Sequence, residues 1–230
     1  MKISTEFSKN AQSYDELNKV QKQVVEQLLS YVDTKPQVIL DLGCGSGALV
    51  KSISWDYKHF IGVDFASGML ELHPKSEKIE CVYGDFNDPM LFEHLRTYTF
   101  DYIFSASALQ WAEDLEIIFQ QIASLNAPVS LAIFTANTFK TLNETAGIQP
   151  LLRNALEVER LQKKYLPAHF DKKEYKLYFS SVRDMFRYIK RSGVSGSRKV
   201  LSYKQTKMLM EDYPVDYLEF EVVFIHTHGE

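Results

Sequence analysis

Short apolar runs alternate along the chain with stretches in which apolar residues recur every three or four positions. The runs are typical of buried strands, and they occupy residues 38–40, 60–63, 79–83, 102–104, 129–135, 175–179 and 220–227. The helical periodicity covers residues 17–31, 48–53, 67–72, 115–125, 182–191 and 203–210. Because strands that alternate with helices form right-handed crossovers, the pattern predicts a doubly wound α/β fold with a mostly parallel sheet.

The alternation is interrupted between the fifth and sixth predicted strands. Residues 139–169 are mostly helical in pattern, and we predict that residues 137–173 form an insertion over the mouth of the sheet. The length of 230 residues suits a single domain of this kind. In this division residues 1–32 form an N-terminal helical cover, and residues 174–230 supply the C-terminal strands and helices.

Charge and cysteine content argue against several classes of protein. The formal net charge of −4 lacks the basic field with which proteins bind nucleic acids or anionic membranes. Cys44 and Cys81 form no Cys-x-x-Cys pair, which fits a reducing compartment and offers no metal framework. The sequence shows neither a signal peptide nor an apolar run of the ~20 residues that span a bilayer. We therefore expect a cytoplasmic monomer that binds no metal, nucleic acid or membrane.

The first predicted strand leads into a glycine-rich loop, Gly43-Cys44-Gly45-Ser46-Gly47. In open α/β sheets ligands bind where strands end and helices begin, and glycines let the backbone approach a ligand closely. The pattern Gly43-x-Gly45-x-x-Ala48 also satisfies the relaxed dinucleotide fingerprint. The loop thus indicates a nucleotide-like ligand without identifying it.

Three aspartates at strand ends narrow the choice of ligand. Asp41, Asp64 and Asp85 follow the first three strands, so we expect them to converge on one crevice. Asp64 can accept hydrogen bonds from ribose hydroxyls and Asp85 from an adenine amino group, with Phe65 or Phe86 stacked on the adenine. A carboxylate at Asp41 repels a pyrophosphate but suits the ammonium of an amino acid tail, which favours S-adenosylmethionine over a dinucleotide.

The segments that carry these residues resemble motifs of the class I S-adenosylmethionine-dependent methyltransferases. The motifs are residues 41–47, 62–70 and 84–86, within a match over residues 36–135. The resemblance implies a seven-stranded sheet whose last strand is antiparallel, with residues 36–136 as the cofactor-binding half. By the same resemblance Asp64 holds the ribose and Asp85 the adenine. The cofactor-binding residues that we predict are Asp41, Gly43, Cys44, Gly45, Gly47, Asp64, Phe65, Met69, Asp85, Phe86 and Ser105.

Two further segments resemble a narrower family. Residues 7–15, with Val20-Gln21 behind them, and 105–111 are similar to the BioC-type malonyl-acyl-carrier-protein O-methyltransferases of biotin synthesis. This resemblance implies a carboxyl O-methyltransferase that esterifies the free carboxyl of malonyl-acyl-carrier protein or a malonyl thioester, with the acyl-carrier protein as partner. The Leu-Gln-Trp of the second segment also resembles trans-aconitate methyltransferases, which esterify a carboxylate too.

A carboxylate acceptor requires placement more than proton chemistry. It is deprotonated at pH 7, so it needs desolvation, alignment and a cation to hold it, and we assign no catalytic residue. The substrate-binding residues that we predict are Tyr14, Trp111, Lys190, Arg191 and Arg198, with Arg153 and Arg160 of the insertion as further cations.

Three alternative functions stay open at this point. A methyltransferase for small free carboxylates has the same motifs, a dinucleotide-dependent oxidoreductase has a similar loop, and a non-catalytic binding protein has the same fold. Asp41 argues against the oxidoreductase. The choice between the other two and the carrier-protein enzyme requires a comparison of acceptors.

Overall fold

The computed structural model describes residues 19–192 and 203–227, and the strands in these ranges form one seven-stranded sheet. The strands are β1 Val38–Leu42, β2 His59–Asp64, β3 Ile79–Tyr83, β4 Tyr102–Ala106, β5 Val129–Phe134, β6 His169–Tyr178 and β7 Tyr217–His226. Their order is β3-β2-β1-β4-β5-β7-β6, with β1 to β5 parallel and β7 antiparallel to both neighbours. The predicted fold class, including the antiparallel last strand, is confirmed.

Helices cover both faces of this sheet. In the described ranges they are α1 Lys19–Ser30, α2 Ala48–Ser52, α3 Ser67–Leu72, α4 Pro89–Leu95, α5 Leu115–Ser124, α6 Lys140–Ala146, α7 Ala155–Tyr165, α8 Val182–Ser192 and α9 Tyr203–Asp212, with a 3₁₀ turn at Leu109–Trp111. Helix α4 is not among the predicted helices. Its start carried two signals: Asp88 caps the helix by accepting a hydrogen bond from the Met90 N–H at 2.9 Å, and Pro89 occupies the first turn.

Consecutive side chains of a strand point to opposite faces of the sheet. Because helices cover both faces, the side chains of the central strands are buried on both sides. In β1, Leu40 packs in a core cluster with Phe119 of α5, while its neighbour Ile39 packs with Phe104 in a cluster that includes Val25 of α1. With both faces covered by helices, the carboxyl ends of the strands are the edge at which a ligand can reach the loops.

The insertion is shorter than predicted, because β6 begins at His169 and not at residue 175. All ten residues of β6 pair with β7, from His169 opposite His226 to Tyr178 opposite Tyr217. The first half of β6 is rich in charged residues, and its side chains alternate between exposed and half-buried positions. A half-buried strand at the edge of a sheet lacks the apolar run that marks a central strand, so the strand prediction began too late.

Asn126 takes the place of the glycine that is usual before the fifth strand. Its φ of 51° lies in the left-handed region, which asparagine tolerates better than most residues with a side chain. Asn126 therefore adopts the left-handed backbone that a glycine would readily supply in this turn. No helix among the described residues combines the length and apolar character needed to cross a membrane.

Candidate functional site

A cavity opens at the carboxyl edge of the sheet, with an empty volume of about 980 Å³ that includes its open mouth. Its walls come from α1, the glycine loop, the ends of β2 and β3, and the segment between β4 and the 3₁₀ turn. Most of the predicted site residues line it: Asp41, Gly43, Cys44, Gly45, Asp64, Phe65, Met69, Asp85, Phe86 and Trp111. The expected convergence of the three aspartates is therefore present in the structure.

The glycines of the loop adopt a backbone conformation that other residues resist. Gly43, Gly45 and Gly47 have φ values of 78°, 53° and 85°. A Cβ at position 43 would overlap the side chain of Ala108, whereas a Cβ at position 45 would meet nothing within 4 Å. Gly43 therefore allows close packing against the turn after β4, and Gly45 leaves open space in the cavity.

At least four of the five backbone N–H groups of the loop have acceptors within the protein. Those of Gly43 and Cys44 donate to the carbonyl of Val63 at 2.8 and 3.0 Å. The N–H of Gly45 donates to Asp64 Oδ2 at 2.9 Å, and that of Gly47 to the carbonyl of Cys44 at 3.0 Å. A pyrophosphate is normally held by free N–H groups of this kind. The loop geometry thus favours S-adenosylmethionine over a dinucleotide, in agreement with Asp41.

Asp64 ties the end of β2 to the glycine loop. Its Oδ2 accepts from Gly45, and its Oδ1 accepts from the N–H of Ala66 at 2.8 Å. Burial raises the pKa of Asp64, and these backbone hydrogen bonds oppose that shift. Each carboxylate oxygen has two lone pairs, so Asp64 keeps acceptor capacity for ligand hydroxyls.

Asp41 is the most deeply buried of the three acids, with 1% of its surface exposed. Its Oδ1 is buried and has no hydrogen-bond partner, although the side chain lines the cavity. Burial, assisted by the negative charge of Asp64, raises the pKa of Asp41 to about 8. A buried acceptor without a partner is costly, so this oxygen is suited to a donor supplied by a ligand, above all a cation.

The remaining predicted residues form the outer wall. Asp85 is exposed, and its Oδ1 accepts from the backbone N–H and the side-chain amide of Asn87, both at 2.9 Å. Phe65 and Met69 pack together in a small apolar cluster, and Phe86 belongs to the main core. Burial and the neighbouring acids raise the pKa of the Cys44 thiol well above its usual value, which disfavours the thiolate that a nucleophile requires.

Two cofactor residues predicted from the sequence lie elsewhere. Ser105 is fully buried in β4 and donates a hydrogen bond to the carbonyl of Leu42 at 2.6 Å, so it joins two strands and does not reach the cavity. Its place at the cavity wall is taken by Ser107, whose φ is 62° and whose buried hydroxyl has no partner. Gly47 does not line the cavity either, because it packs inward against Pro74.

Among the predicted substrate-binding residues, Trp111 lines the cavity from the 3₁₀ turn. Arg153 does not line it: Arg153 donates to the carbonyl of Glu113 at 2.9 Å and pairs with Glu157 at 3.5 Å. Arg160 is exposed on α7 and also does not line it. Tyr14, Arg198 and the side chains of Lys190 and Arg191 lie outside the described residues, so their roles stay predictions.

Sequence reasoning missed the contribution of α1 to the cavity. Gln21, Lys22 and Val25 line it from one flank of this helix. The helical periodicity identified the buried side of α1, but it contained no signal for the polar residues beside that side. Their position depends on how α1 packs against the sheet.

Comparisons with known proteins agree with this site. A family model described as a methyltransferase domain matches residues 39–128. The chain is 27% identical to the malonyl-[acyl-carrier protein] O-methyltransferase of Halorhodospira halophila, over 99% of this chain and 87% of that protein. It is also 27% identical to the protein of the same name from Bacillus anthracis, over 99% of this chain and 94% of the relative.

The fold has solved counterparts as well. The YcgJ protein of Bacillus subtilis matches with a TM-score of 0.60 at 14% identity, over 90% of this chain and 99% of that chain. The matched domain and relatives, the strand order and the cavity at the glycine loop lead to one assignment. The chain contains a methyltransferase domain, and its strand order and cavity are those of an S-adenosylmethionine-dependent methyltransferase.

Proposed function

We propose that the protein transfers a methyl group to the free carboxyl of malonyl-acyl-carrier protein, a reaction of biotin synthesis. The supporting observation is that similarity to two malonyl-[acyl-carrier protein] O-methyltransferases extends over 99% of this chain. The cofactor motifs alone would leave the acceptor undefined, because one fold serves many acceptors. The aligned range also includes the segments on the acceptor side, which differ most between enzymes of one fold.

The described residues fit S-adenosylmethionine part by part. The unpartnered Oδ1 of Asp41 suits the ammonium of the methionine tail, and the remaining lone pairs of Asp64 suit the ribose hydroxyls. Asp85 lies at the outer end of the same wall, where it can accept from the adenine amino group. Phe65 offers an apolar surface for the adenine ring, supported by Met69.

The chain contributes binding, alignment and exclusion of water. S-adenosylmethionine, when bound, supplies a methyl group that is electrophilic because it is attached to a sulfonium. Trp111 and the turn at 106–108 form the wall nearest the end of β4, where they shield the acceptor from water. A malonyl carboxylate is already ionised at neutral pH, so the protein has no proton to remove from it.

Binding of S-adenosylhomocysteine, the demethylated product, is expected to release close to one proton at pH 7. With a pKa of about 8, Asp41 is mostly protonated in the empty site, and an ammonium beside its Oδ1 favours the carboxylate. Affinity therefore rises with pH up to about 8 and then levels off. Calorimetric titration at pH 7 in two buffers with different heats of ionisation measures the released proton.

The same pKa shift has a consequence for the ligand-free protein. Asp41 ionises near pH 4 in the unfolded chain and at about pH 8 in the folded protein. The contribution of Asp41 to the free energy of unfolding is therefore fully present below about pH 4 and is lost as the pH rises towards 8. Asp41→Asn removes both effects, and this variant serves as the control. Proton release that is unchanged in Asp41→Asn would assign the proton to another group.

The proposed function is tested by transfer of a labelled methyl group to four acceptors at equal concentration. These are malonyl-acyl-carrier protein, malonyl-coenzyme A, free malonate and free trans-aconitate. We expect malonyl-acyl-carrier protein to have the highest kcat/KM, and carrier protein loaded with the malonyl methyl ester to accept no label. Faster transfer to either free acid would contradict the carrier-protein assignment, and binding of cofactor without transfer to any carboxylate would contradict the enzymatic one.

A further inference from the structure

Helix α1 contributes two polar residues to the cavity, Gln21 and Lys22, which have no role in the function proposed above. Val20, Val24 and Leu28 are buried and anchor α1 on the sheet. The anchored helix turns Gln21 and Lys22 towards the cavity, which both residues line. The Oε1 of Gln21 is buried there without a hydrogen-bond partner.

Lys22 is the only basic residue among the described residues that line the cavity. It is exposed at the mouth, and it forms no ion pair with any described residue. Several other lysines in the described ranges are paired, such as Lys163 with Glu159 at 2.7 Å and Lys164 with Glu116 at 2.5 Å. The ammonium of Lys22 is therefore available to an anion that enters the cavity.

Three acids in the lining of the same cavity carry the charge opposite to that of Lys22 when they are ionised. They are Asp41, Asp64 and Asp85, and Asp41 presents an unpartnered oxygen. When ionised, as Asp41 is once an ammonium lies beside it, these acids repel a carboxylate, so a carboxylate in this cavity is favoured near Lys22. The side-chain oxygen of Gln21 can only accept hydrogen bonds and so does not bind a carboxylate, but the amide N–H₂ of Gln21 can donate to one.

We propose that Lys22 is the residue that binds a carboxylate in this cavity. Two ligand parts carry that group: the methionine tail of the cofactor and the malonyl acceptor. The inference rests on the proposed function only for the second of these. Lys22 is thus a binding residue that acts through its charge, which a flexible four-carbon side chain carries.

The test compares Lys22→Met with Lys22→Arg, which keeps the charge, and with Lys19→Met, which removes an exposed lysine of α1 that does not line the cavity. Calorimetry gives the Kd of each variant for S-adenosylhomocysteine and for 5′-methylthioadenosine, which lacks the amino acid tail. Steady-state assays give KM and kcat for malonyl-acyl-carrier protein. Thermal melting establishes that all three variants are folded.

Two results support the proposal and identify the carboxylate. If Lys22→Met weakens the binding of S-adenosylhomocysteine about tenfold and leaves the affinity for 5′-methylthioadenosine unchanged, Lys22 binds the methionine carboxylate. If both affinities are unchanged while KM for the acceptor rises about tenfold, the ligand group is the acceptor carboxylate. In either case Lys22→Arg retains most of the wild-type value, and Lys19→Met matches the wild type.

Other results overturn it. An equal loss of affinity for S-adenosylhomocysteine and for 5′-methylthioadenosine would show that the substitution acts through the structure. Unchanged affinities for both ligands together with an unchanged acceptor KM would show that Lys22 binds no carboxylate. If the wild type does not methylate malonyl-acyl-carrier protein, the proposed function fails separately. The two binding measurements then decide the role of Lys22, and an unchanged affinity for S-adenosylhomocysteine overturns it.

Discussion

Replacement of Asp64 by asparagine is expected to weaken S-adenosylhomocysteine binding about 100-fold. The Asp64 carboxylate is 8% exposed and accepts from two backbone N–H groups, those of Gly45 and Ala66. An asparagine has one oxygen and one N–H₂ group, so one of these donors would face another donor. A hydrogen bond to a charged group contributes about 1.5–3 kcal/mol, and the lost bond also releases the loop from the end of β2. Calorimetric titration of both proteins measures the change.

Asp101 provides a matched control at the opposite end of the sheet. Its Oδ2 also accepts from two backbone N–H groups, those of Gln37 at 2.8 Å and Val38 at 2.9 Å, but it does not line the cavity. Asparagine can keep both bonds through its one oxygen, so Asp101→Asn removes only the charge; it is expected to lower thermal stability slightly and to leave the affinity for S-adenosylhomocysteine unchanged. If Asp64→Asn binds within threefold of the wild type, Asp64 has a structural role only, and the ribose assignment is wrong.

Gly43→Ala is expected to destabilise the fold by about 3 kcal/mol. An alanine at φ 78° is strained by roughly 1–2 kcal/mol, and its Cβ would overlap the side chain of Ala108. For a chain of 230 residues this corresponds to a fall in Tm of about 6–12 °C. Because Ala108 begins the turn that carries Trp111, the relief of this overlap also displaces the acceptor wall. Differential scanning calorimetry measures the first effect and acceptor KM the second.

Two further variants separate the causes. Gly147 also has a left-handed backbone, with φ 63°, but a Cβ there would meet nothing within 4 Å. Gly147→Ala thus reports the backbone strain alone, and we expect it to lower stability by about 1 kcal/mol. The double variant Gly43→Ala with Ala108→Gly removes the overlap and should recover part of the lost stability. Equal losses in Gly43→Ala and Gly147→Ala would show that the contact with Ala108 contributes nothing.

The elements predicted correctly were those whose signals lie within a few consecutive residues. The central strands β1, β2, β4 and β5 are mostly buried on both faces, so they were recognisable from short apolar runs such as residues 38–40 and 129–135. The start of β6 was not recognisable, because its early residues are polar and are fixed by their pairing with β7. Helix α4 was predictable in principle, because Asp88 and Pro89 mark its start within two consecutive residues.

The site shows the same division. Aspartates at three strand ends were sufficient to predict one crevice, because parallel strands place their carboxyl ends at one edge. It was not predictable that Ser107 and not Ser105 lines the cavity. This depends on the left-handed backbone at Ser107 and on the hydrogen bond from Ser105 to the carbonyl of Leu42. Lys22 was also not predictable, because α1 is brought to the cavity by packing between segments distant in sequence.

The sequence by itself determined the fold class, the order of most elements, the glycine loop and the acids that line the cavity. These features follow from local hydrophobic period, from glycine positions and from the rule that parallel strands end together. Only the tertiary structure decided that at least four of the five loop N–H groups have acceptors within the protein, that Asp41 keeps an unpartnered oxygen, and that Lys22 lines the same cavity as the three acids. Hydrogen-bond partners and burial depend on contacts between residues far apart in the chain, and a local pattern carries no record of such contacts.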